Sequence, residues 1–179
     1  MTGGFRIFST IVDDNSTFSD HVRCLLKSVT NRSFRRTFAA GERGSNAIDV
    51  EDLLIGLVRE DQGTHGSMLS KFLGDGVGSD FPTRTHKQFF DPAVATSLLN
   101  NIEESVPHLE PIAISTEIPV SDELSRVFEA AEVYRTQFHH DEIEPHLLVA
   151  VFNDEGSVSV RELRAAGITQ EEVFKRLRT

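Results

Sequence analysis

An all-α fold made of two related helical halves is predicted by three features of this sequence. The segment Ile48-Asp49-Val50-Glu51-Asp52-Leu53-Leu54-Ile55-Gly56-Leu57-Val58-Arg59-Glu60 returns later as Glu142-Ile143-Glu144-Pro145-His146-Leu147-Leu148-Val149-Ala150-Val151-Phe152-Asn153-Asp154. Leu53 falls on Leu147, Leu54 on Leu148, Ile55 on Val149 and Gly56 on Ala150, bulky on bulky and small on small, which marks a duplicated unit. Helix starts are twinned as well: Phe18-Ser19-Asp20 and Val120-Ser121-Asp122 each place an apolar residue before a capping Ser and an Asp suited to the first turn. Apolar residues then recur at helical spacing and stop near a glycine, Gly74 or Gly167, fit for the left-handed position beyond a helix.

In chain order, Phe5 to Val12 alternates apolar residues (Phe5, Ile7, Ile11) like a short strand, and Ile112-Ala113-Ile114-Ser115 is its predicted β partner. The helix after Ser19 carries Val22, Leu25, Leu26 and Val29 on one face, and the stretch ending in Gly41 and Gly44 reads as a loop. The echoed motif forms the next helix of each half. Asp49 or Glu144 can cap it, and Pro145 lies in a first turn, where its missing N–H costs nothing. Turns at Gln62-Gly63 and Glu155-Gly156 lead to helices holding Met68, Leu69, Phe72 and Leu73, and Val160, Leu163 and Ala166. The first half continues through a loop, Asp75 to Pro82, into a helix capped by Asp91-Pro92 with Val94, Leu98, Leu99 and Ile102 inward. After Ser121 the inner stripe is Leu124, Val127, Phe128, Ala131, Val133 and Tyr134. The last helix opens with a capping box, Thr169-Gln170-Glu171-Glu172, and turns Val173, Phe174 and Leu177 inward. The predicted division is an extension over 1–17, a first half over 18–106, a linker over 107–119 marked by Pro107 and Pro111, and a second half over 120–179.

Composition narrows the function. A net charge of −10 argues against nucleic-acid or anionic-membrane partners, which need a basic face. The charge is uneven: 8 Lys/Arg face 7 Asp/Glu from Ser19 to Gly74, but 7 face 12 from Val120 to Thr179. Cys24 is the single cysteine, which rules out an internal disulfide or a Cys-based zinc site. Neither a bilayer-length apolar run nor a secretory leader pattern is present, so a cytoplasmic protein is expected. No G-x-x-x-x-G-K-[ST] loop and no G-x-S-x-G elbow occurs, and no catalytic activity or cofactor is expected. The one cluster with metal-binding chemistry is His139-His140-Asp141-Glu142 with Glu144 and His146. It supplies the alternative function, a small metal-dependent enzyme or sensor built on His139, His140 and His146.

The order of these signals (Phe/Val-Ser-Asp at a helix start, the Ile48–Glu60 motif, then Leu…Gly) resembles the double Clp N-terminal domain, or Clp repeat. That domain heads ClpA- and ClpC-type unfoldases and also occurs in stand-alone proteins. The resemblance runs from Phe18 to Thr179 and is strongest over Ile48–Glu60. It implies two four-helix units related by a pseudo-twofold axis, and a non-enzymatic module that receives adaptors or substrate proteins for an ATP-driven unfoldase. In ClpC-like members a Thr at the first helix start and the Glu of the repeated motif help bind phosphorylated arginine. The resemblance carries that role to Ser19 and Glu51, and to Ser121 at the second Thr position. Pro145 stands where the second Glu would be, and Val50 and Asp52 replace the family's usual Thr and His.

Overall fold

The computed structural model describes residues 44–62, 69, 88–111, 119–141 and 143–178. The readings at Ser19, Cys24, Gly74, and the β partners Phe5–Val12 and Ile112–Ser115 lie outside these residues. Within them the chain forms six helices: α1 (Val50–Asp61), α2 (Pro92–Ser105), α3 (Asp122–Phe138), α4 (Glu144–Val151), α5 (Val158–Ala165) and α6 (Gln170–Leu177). No strand appears among the described residues; Ile48 and Val120 form an isolated parallel bridge. The all-α expectation holds.

The echoed motif builds the two most deeply buried helices. In α1 every residue from Asp52 to Val58 is buried, and in α4 every residue from Pro145 to Val151 is. A helix that is apolar on most sides cannot face water without losing about 1.5–3 kcal/mol per large side chain. The fold therefore places α1 against α2, α3, α4 and α5, and α4 against α1, α3 and α6. Gly56 and Ala150, the small residues of the echo, are both buried. One core results, running from Leu53 and Leu57 through Ala95, Leu98 and Ile102 to Phe128, Leu148, Leu163 and Val173.

Caps set the helix limits much as the sequence predicts. Asp49 and Asp52 close a reciprocal capping box, with the Asp49 amide donating to Asp52 Oδ2 at 2.9 Å. Asp91 accepts from the Ala93 amide ahead of Pro92. Ser121 accepts from Leu124, and Ser157 from Val160. Gly167, at φ +79°, follows α5 in the left-handed region. Thr169 caps α6 through the Glu172 amide, while the Glu172 carboxylate receives Arg176 at 2.9 Å.

Several expectations need correction. Glu144 is the first residue of α4 and Ile143 its N-cap; Pro145 sits in the first turn as predicted. Val133 points outward, 62% exposed, because the buried stripe of α3 is Leu124, Val127, Phe128 and Ala131. On α2 the stripe includes Ala95, with Val94 and Leu99 only half-buried. Gly44, at φ +73°, lies so close to the Glu110 carbonyl that any Cβ there would overlap it.

The carboxylate of Asp61, fully buried at the end of α1, accepts from the amides of Phe89 and Phe90 at 3.2 and 2.8 Å. It thereby ties the lead-in of α2 to the end of α1, and Gln62 Nε2 adds a bond to the Phe90 carbonyl at 3.0 Å. Asp61→Ala would strand two inward amides. In urea unfolding it is expected to cost about 2–4 kcal/mol, against about 1 kcal/mol for removing the exposed Asp91 cap by Asp91→Ala.

Candidate functional site

The seam between the halves begins at the Ile48–Val120 bridge. The Ile48 amide donates to the Pro119 carbonyl at 2.7 Å, and the Ser121 amide donates to the Ile48 carbonyl at 3.0 Å. Since Ile48 precedes α1 and Ser121 caps α3, this bridge sets the N-terminal ends of the two helices side by side. Glu51 lies in the first turn of α1. From there it reaches the start of α5, where Ser159 Oγ, itself fully buried, donates to Glu51 Oε1 at 3.4 Å. The half-buried Glu51 carboxylate thus joins the start of α1 to the start of α5, while the bridge at Ile48 sets the start of α3 beside that of α1.

The resemblance pairs Glu51 with Ser19 inside the first half. Ser19 lies outside the described residues, and the serine whose helix start adjoins that of Glu51 is Ser121, from the other half. Ser121 Oγ accepts from Leu124 at 3.2 Å, and a hydroxyl used in this way still has a proton to donate. The Ser159 contact was not foreseen. Ser157-Val158-Ser159 is legible as a helix start, but its meeting with Glu51 crosses more than a hundred residues of chain.

Burial pushes the Glu51 carboxyl above its ordinary value of 4.5. Its own backbone amide pulls down, repulsion from Asp49 raises it again, the Ser159 amide lowers it and Asp52 raises it. The folded state therefore holds this proton more tightly than the unfolded chain does, and the ionised form weakens folding at neutral pH. Glu51→Gln keeps an acceptor for Ser159 and removes the charge. Its melting temperature is expected to exceed the parent's at pH 7, and the gap should close as pH falls to 4.5 and below. Calorimetric scans of both proteins across that range check the sign.

The histidine cluster lies elsewhere, at the turn from α3 to α4, and is only partly assembled. His139 is the C-cap of α3 at φ +56° and is exposed. Arg135 braces the turn, donating to the His140 carbonyl at 2.7 Å and to both oxygens of Glu132 at 2.8 and 2.7 Å. His140 Nδ1 and His146 Nε2 lie 3.2 Å apart and share a hydrogen bond, with Phe138 alongside both rings. No group of three or more His, Cys, Asp or Glu able to hold a metal occurs among the described residues. The two imidazoles use each other as donor and acceptor, as a packed polar pair does. Elemental analysis of the purified protein is expected to show less than one transition metal per ten chains; a stoichiometric value would restore the metal-dependent alternative.

No family model and no curated protein matches this chain. Among solved structures it is similar to the N-terminal domain of the caseinolytic protease associated chaperone ClpD from Arabidopsis thaliana. The TM-score is 0.51 at 24% identity, over 84% of this chain and 94% of that one. The chain has a Clp N-domain-like, all-α fold. No helix among the described residues is long and apolar enough to cross a membrane.

Proposed function

We propose that this chain is a non-enzymatic polypeptide-binding module that receives adaptors or substrate proteins for an ATP-driven Clp-type unfoldase in the cytoplasm. The Clp N-domain-like fold supports the reading, and so does a sequence with neither a nucleotide-binding loop nor a hydrolase elbow. The observation that carries it is the seam: the Ile48–Val120 bridge brings the helix start of Glu51 beside that of Ser121, in a corner both polar and partly shielded from water. Such a corner can hold one charged or hydrogen-bonding side chain of an extended polypeptide, and grooves between neighbouring helices can take the rest. Binding of this kind needs no covalent step and no cofactor.

Titration calorimetry with a chemically unfolded, soluble polypeptide tests this. The parent is expected to bind, Glu51→Gln to bind about 3–10-fold more weakly, and Val133→Ser, on the outward face of α3, to bind like the parent. Absence of binding to unfolded polypeptide, together with failure to associate with a purified Clp-type unfoldase, would remove the proposal.

A further inference from the structure

We draw no further inference here: the strongest candidate, the groove of about 400 Å³ between α2 and α5 lined by Val94, Ser97, Leu98, Asn101, Glu162 and Ala165, carries none because nothing in the structure shows what covers it.

Discussion

The structure depends on how little of α1 can be left in water. From Asp52 to Val58 the helix is buried on every side, and four other helices close over it, three of them from the second half of the chain. Its partner in the echo, α4, is enclosed in the same way. Two amphipathic bundles could each bury one stripe and remain separate; two helices without a polar face cannot. Burial of both forces the halves into one core, and α2 adds to this by packing on α5 across the seam.

The same constraint explains the polar residues found inside. Among the described residues Asp52, Asp61, His146 and Ser159 are fully buried, and each has a hydrogen-bonding role. Asp52 closes the cap of α1, Asp61 holds two amides ahead of α2, Ser159 meets Glu51, and His146 pairs with His140. A buried polar group without a partner costs more than its hydrogen bond gains, so these contacts sit where helices must join without water. Glu51 is the exception in degree: half-buried, crowded by Asp49 and Asp52, it holds charge where the fold would prefer none.

Local signals were largely legible. The caps at Asp49, Asp91, Ser121 and Thr169, the stop at Gly167 and the burial of the echoed helices all follow from spacing within a turn or two. Errors arose where the helical period alone was asked to choose a face, as at Val133, or where an acidic residue beside Pro145 suggested a cap that the backbone places at Ile143. The candidate site was legible in part. Glu51 and Ser121 could be named from the resemblance, but the bridge that sets their helix starts side by side could not, nor could the contacts of Asp61 and Ser159. These partners are separated by long stretches of chain, and no periodicity encodes which helix end will meet which.

The parallel bridge at the seam has a consequence for motion. The amides of Ile48 and Ser121 are bonded across the two halves rather than along a helix. Their exchange with deuterium therefore reports opening of the joint itself, while amides inside α1 or α3 report melting of those helices. A bound polypeptide that straddles the joint would slow the first pair selectively, so two backbone protons serve as a built-in gauge of whether a guest has closed the gap.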